Sequence, residues 1–329
     1  MIGSARKIVL LVLAAVLAGF TVASAGYSTA TDSKELLSGD RMNDAVAYLK
    51  DRTHSAPDDA EAFHLLARAY YELEQWDLSI AAAQRAIALK PDSSAYHLWL
   101  GRAYGNKAEH SSWFSAMSLA RKTRSEFEKA VQLDENNVNA RSDLAEYYME
   151  APGFLGGGSD KARAQAEKLA DRDAATAYWV KARLAEKSGD LAEAERDFQE
   201  AIKASADPGG EWLNLAGFYR HQKRFKDMED AINHAVSYEK RKSNVLYDAA
   251  ELLYRAGRNF PAAAQMVRKY ISSKPHEETA PAFQAHYLLG EILEKQGEKK
   301  AAAEEYQAAL SEASDFRQAE EALRRVSRE

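Results

Sequence analysis

Cysteine is absent from all 329 residues. Disulfides, thiolate metal sites, a cysteine nucleophile and a lipid-modified amino-terminal cysteine are therefore excluded. Glycine (17) and proline (7) are scarce, so the chain is neither collagen-like nor a low-complexity tract. It has no block of basic residues and carries a net charge of −6, which leaves no electrostatic footprint for nucleic acid or anionic lipid. Asn-x-Ser/Thr acceptors, a His-Glu-x-x-His zinc motif and a Gly-x-Ser-x-Gly elbow are also missing. His276-Glu277-Glu278 only begins such a zinc motif, and the eight histidines are otherwise scattered. The expectation is a protein without catalytic residues, cofactor or metal.

After residue 25 no apolar run approaches the length of about 20 residues that a spanning helix needs. The first residues read instead as an export signal. Arg6 and Lys7 give a positive start, Ile8 to Phe20 is apolar, and Ala23-Ser24-Ala25 is a small-x-small cleavage site. Residues 1–25 are thus expected to be removed, taking the net charge to −8. An exported chain without cysteine or glycosylation acceptors fits a bacterial envelope, soluble in the periplasm and not a lipoprotein.

What dominates the remainder is a period of 34 residues. Apolar residues from Ala60 to Leu89 fall at three- and four-residue steps, giving two amphipathic helices with a turn at Gln75-Trp76-Asp77 and a stop at Pro91. Asp58 or Asp59 can cap the first helix, and Ser93 or Ser94 the next. Shifted by 34, Leu66 falls on Leu100, Ala67 on Gly101 and Tyr70 on Tyr104. Three later columns keep the interval: Tyr178, Trp212, Leu246; Ala182, Ala216, Ala250; and Phe198, Ile232, Met266. Small residues are needed wherever the two helices of a repeat cross closely.

Phe63, Leu66, Ala67, Tyr70, Ala86 and Pro91 resemble the signature of the tetratricopeptide-repeat (TPR) family, with Ser79 where that family usually has Ala. The resemblance runs from about residue 32 to the carboxyl terminus. It implies an all-α, right-handed α-α superhelix of about seven helix pairs. Repeats are expected near 26–58 (with a degenerate first helix), 59–92, 93–136, 137–173, 174–207, 208–242, 243–277 and 278–314. A capping helix over 315–328 follows, its face of Phe316, Ala319, Leu323 and Val326 shielding the last repeat. The connector Ser272 to Pro281 is the longest polar one.

The period breaks twice. Leu100 to Leu144 is 44 residues, ten too many, and Ala145 to Ala162 is 17 where the motif gives 12. The second break holds Ala151-Pro152-Gly153-Phe154-Leu155-Gly156-Gly157-Gly158-Ser159. Insertions in repeat proteins gather on one face. Two roles follow for this stretch. Trp113, Phe114, Phe154 and Leu155 are apolar anchors for a partner, or Trp113 and Phe114 pack beneath the glycine-rich loop. Gly153 and Gly158 have P-loop spacing, but Ser159-Asp160-Lys161 replaces Lys-Ser/Thr and a helix precedes the loop. Amides at the next helix start could still hold an anion, with Ser159 as N-cap.

In the family, ligand peptides touch the outward positions two, five, nine and twelve of each first helix. Carried over, these are Glu61, His64, Arg68 and Tyr71, then Asn139, Ser142, Glu146 and Met149, with Leu213 and Gly217 later. The carboxylate clamp that holds chaperone tails is not matched by any consecutive trio. The function expected is therefore a non-enzymatic scaffold or adaptor of the envelope, binding a protein segment in the groove or at the 105–160 insertion. The alternative is a structural component that associates with itself.

Overall fold

The computed structural model describes Leu37 and residues 41–238, 244–273 and 280–328. The export signal, the first helix of the degenerate repeat and most of the Ser272–Pro281 connector, His276 included, lie outside the described residues.

Every regular element described is helical. Helix α1 (Met42–Ser55) precedes seven helix–turn–helix pairs. These are α2 (Ala60–Glu72) with α3 (Trp76–Leu89), α4 (Ser94–Glu109) with α5 (Trp113–Leu133), and α6 (Val138–Glu150) with α7 (Ser159–Leu169). Then come α8 (Ala174–Ser188) with α9 (Leu191–Ala204), α10 (Gly209–His221) with α11 (Phe225–Ser237), and α12 (Val245–Ala256) with α13 (Phe260–Ser272). Finally α14 (Ala282–Gln296) pairs with α15 (Lys299–Glu312), and α16 (Arg317–Val326) follows alone. The chain forms two compact units. One comprises 52–71 and 75–206; the other comprises the described parts of 23–51, 72–74 and 207–329.

In the first unit the small-residue column does what close helix crossing demands. Ala67 is 1% exposed, and Gly101 lies so near the Phe127 ring that a Cβ there would sit 2.6 Å from it. Ser79 replaces the usual Ala without leaving a buried hydroxyl unpaired, because its Oγ donates to the Ala67 carbonyl at 2.8 Å. Asp59, not Asp58, caps α2 by accepting from the Ala62 amide at 3.0 Å. Burial raises its carboxyl pKa, but the bonds from Ala62 and Arg52 outweigh that and leave it below the usual value. Ser93 stands at the N-cap of α4 without a side-chain cap bond; Ser94 Oγ instead donates to the Ala130 carbonyl of α5.

Both breaks in the period have a physical form. The ten extra residues lengthen α4 to 16 and α5 to 21 residues, against 13 and 14 in α2 and α3. The other insertion is a short 3₁₀ turn at Gly153–Leu155 followed by three glycines. Gly156 takes the left-handed conformation (φ 90°), and a Cβ on Gly157 would lie 1.7 Å from the Ala151 carbonyl oxygen. Glycine is therefore required there by close backbone approach.

In the second unit Ala216 and Ala250 are fully buried, and Phe198's counterpart Ile232 is 1% exposed. The third member of that column slips by one residue: Val267 is buried, while Met266 is only half-buried. Helix α16 buries Ala319, Ala322 and Val326, the expected capping face displaced by a residue from Leu323 to Ala322. Arg325 forks onto Glu294 of α14 at 3.0 and 2.8 Å and holds that carboxyl below its usual range. One long-range contact had no signal in the period. Asn43 of α1 donates to the Ser311 carbonyl at 3.1 Å and accepts from the Ser314 amide at 2.9 Å.

The column makes a discriminating pair of variants. Gly101→Ala is expected to destabilise the chain by about 1–3 kcal/mol, because the buried Phe127 ring must move. At Gly105, one turn further along α4, a Cβ meets only Thr123 at an ordinary 3.6 Å. Gly105→Ala should be neutral or stabilising by up to about 1 kcal/mol through helix propensity. Thermal unfolding of the two variants side by side checks the close-crossing argument.

Candidate functional site

The first helices α2, α4, α6 and α8 of the first unit carry a continuous ladder of aromatic and charged side chains. Its foot is Trp99 of α4. The Arg68 guanidinium of α2 lies 4.7 Å from the Trp99 ring centre, and that of Arg102 lies 5.0 Å away on the same ring. Tyr71 meets Trp99 edge-on at 5.2 Å and Trp76 at 5.3 Å, and its hydroxyl accepts from Asn106 at 2.7 Å. From Arg102 the ladder crosses to α6 through a fork onto Asp143 at 2.6 and 3.3 Å. Arg183 of α8 joins Glu150 of α6 at 3.3 Å and Glu186 at 2.7 Å. Lys187 closes the series on Glu150 at 3.2 Å.

Glu146 sits amid these pairs, four residues before Glu150 and three after Asp143, so helical geometry sets all three on one face. The residue is half-buried, while its Oε1 is shut off from water and accepts no hydrogen bond. Burial lifts the carboxyl pKa to about 8. Arg183 and Arg102 oppose that rise, and Asp143 and Glu150 add to it.

The residues expected at ligand positions are arranged unequally. Arg68, Tyr71 and Glu146 belong to the ladder. Asn139 and Ser142 are half-buried on α6. His64 is buried at 5% exposure with its ring against Tyr96 at 4.6 Å, which removes it from the accessible face. Glu61 accepts from the Tyr96 hydroxyl at 3.0 Å, so it also serves contact between repeats. Met149 and Leu213 are buried. Trp99, Arg102, Asp143, Glu150 and Arg183 were not among the expected residues. For Arg102 and Arg183 the signal was the ninth motif position itself, which Arg68, Arg102, Glu146 and Arg183 occupy on successive first helices; Trp99, Asp143 and Glu150 lie off the family's ligand positions.

The insertion does not form one apolar surface. Leu155 is 3% exposed and is a core residue rather than an anchor. Arg124 of α5 and the Tyr147 hydroxyl both donate to its carbonyl at 3.0 Å. Phe154 and Phe114 are exposed at 63% and 80%, and Trp113 is half-buried. Phe114 lies ten residues before Arg124 on α5, roughly 15 Å along the axis. At 80% exposure it does not pack under the glycine loop. The glycine amides do not form a phosphate cradle. The amides of Gly156, Gly157 and Gly158 donate to the carbonyls of Gly153, Pro152 and Tyr148. Gly158, not Ser159, occupies the N-cap of α7.

Among the described residues no group of three His, Asp or Glu side chains is placed to hold a metal ion. His64 and His97 are buried in packing, His97 contacting Glu126 at 2.6 Å and the Pro91 carbonyl at 3.1 Å, while His54, His221 and His234 are exposed. No described helix is long and apolar enough to cross a membrane.

The tetratricopeptide-repeat family model matches residues 34–94, 64–107, 156–211, 181–239 and 247–315. The chain belongs to the tetratricopeptide-repeat family. The unmatched stretch 108–155 holds the lengthened α5 and the 3₁₀ turn that precedes the three glycines. Solved structures similar to this TPR chain include a thermophilic TPR protein of Thermus thermophilus (17% identity, TM-score 0.45, covering 54% of this chain and 90% of that one). A TPR protein of Parabacteroides merdae shares 17% identity at a TM-score of 0.41, covering 82% and 98%. YrrB, described as a TPR protein with an unusual peptide-binding site, shares 14% at 0.37, covering 58% and 92%. No curated protein matches the chain. The repeats make it a protein–protein interaction scaffold in the coarse sense of its family.

The raised pKa of Glu146 gives a signed prediction. The folded chain holds this proton more tightly than the unfolded chain, whose value is near 4.5. The contribution to stability is therefore full below that value and is lost as pH rises through about 8. Glu146→Gln should raise stability at pH above 8 by on the order of 1–2 kcal/mol, with the gain fading towards pH 5. Urea unfolding across that range reads the difference.

Proposed function

We propose that this TPR chain is an exported, non-catalytic adaptor of a bacterial cell envelope that holds an extended partner segment along the α2–α4–α6–α8 face. One observation carries the reading. The face is preassembled, its aromatic and charged groups already fixed by one another, so a ligand meets little reorganisation cost. Trp99, Tyr71 and Arg102 are also the residue types that carry most binding energy at protein interfaces. Export rests on the leader of residues 1–25, with its basic start, apolar run and small-x-small end.

The insertion is the competing surface, favoured by the exposure of Phe114 and Phe154. Pull-downs from envelope extracts with three forms of the mature chain separate the two. Ser142→Trp places bulk on the helix face without emptying the core. Phe114→Ala/Phe154→Ala strips the insertion of its exposed rings. The groove reading predicts that the first variant loses the captured partner at least tenfold and the second keeps it. The reverse pattern moves the site to the insertion. Concentration-dependent oligomers with no captured partner contradict the adaptor and favour self-association.

A further inference from the structure

Once ionised, Glu146 leaves its surroundings one carboxylate in excess of the cations, and that imbalance has a direction. Arg102 reaches from α4 and Arg183 from α8, while α6 supplies Asp143, Glu146 and Glu150. Each cation is already committed: Arg102 is forked on Asp143, and Arg183 bridges Glu150 and Glu186. Glu150 takes a further contact from Lys187. Glu146 is the carboxyl group left over, with Oε1 desolvated and without a donor. A buried acceptor in that state carries a cost that a donor on a ligand would remove.

We infer that Glu146 is the acceptor for a lysine or arginine side chain of the bound segment. This rests on the proposal that the segment lies along the α2–α4–α6–α8 face. The chemistry excludes the opposite choice. An acidic ligand group would meet the carboxylates of Asp143 and Glu150 on α6, and the two arginines that could receive it would have to abandon their present partners. A cation of the ligand supplies the missing donor and balances the charge that Glu146 takes on when it loses its proton. Because free Glu146 holds its proton near neutral pH, docking of the cation also expels that proton.

Selection of random linear peptides displayed on phage against the mature chain tests this, with Glu146→Gln and Glu146→Arg selected in parallel. Peptides from the unaltered chain should share one Lys or Arg position. That preference should vanish with Glu146→Gln and turn to Asp or Glu with Glu146→Arg. Calorimetry of a selected peptide in buffers of different ionisation enthalpy should show release of about one proton at pH 7, and none with Glu146→Gln. Peptides that are blocked by Ser142→Trp but show no basic preference, or the same preference with Glu146→Gln, overturn this inference and leave the groove proposal standing. Peptides indifferent to Ser142→Trp, or no enrichment at all, overturn both.

Discussion

Two helices of a TPR unit can share a core only if one of them yields space where they cross, and the rest of this structure follows from that close approach. Gly101 under Phe127 and Gly290 under Tyr306 are its tightest points, with a Cβ lying 2.6 and 2.5 Å from the ring. Ala67, Ala182, Ala216 and Ala250 hold the same place elsewhere at 0–1% exposure. Once the crossing is tight, the second helix fills the apolar side of the first. The other side of each first helix is then left to face its counterparts in neighbouring repeats. The ladder from Arg68 to Lys187 is what this chain has put there.

That division explains what could be read from the sequence. Core columns repeat because every repeat solves the same packing problem, so Leu66 with Leu100 and Ala182 with Ala216 were visible at a shift of 34 residues. Where packing has slack the register slips, as from Met266 to Val267. The outward positions carry no such constraint. Glu61 and His64 matched the family's ligand positions, yet Tyr96 and Trp99 draw them into contact between repeats. Trp99 and Arg183 were legible as members of helices but not as a joined surface, because their meeting depends on how neighbouring repeats stack. The contact of Asn43 with Ser311 and Ser314 spans some 270 residues and lies beyond any periodic reading.

The break in the period shows the same logic. Ten residues enter as longer helices rather than as a loop, since a helix satisfies its own backbone while a long loop must find partners for every amide. The glycine loop meets that demand internally, through the bonds of Gly156, Gly157 and Gly158 to nearby carbonyls. Leu155 is thereby drawn into the core, while Phe154 beside it faces outward. Adjacent apolar residues that looked equivalent in sequence thus have opposite fates. The loop's anchoring to Arg124 and Tyr147 makes it a fixed part of the first unit.

The central claim is that a partner segment lies along the first-helix face of the unit spanning 52–206. A photo-reactive phenylalanine analogue placed at Ser142, and separately at exposed Glu167 on the second helix α7, reads this in the cell that makes the protein. The account predicts a discrete crosslinked partner from position 142 and none from position 167. Equal labelling from both, or labelling from 167 alone, would contradict it.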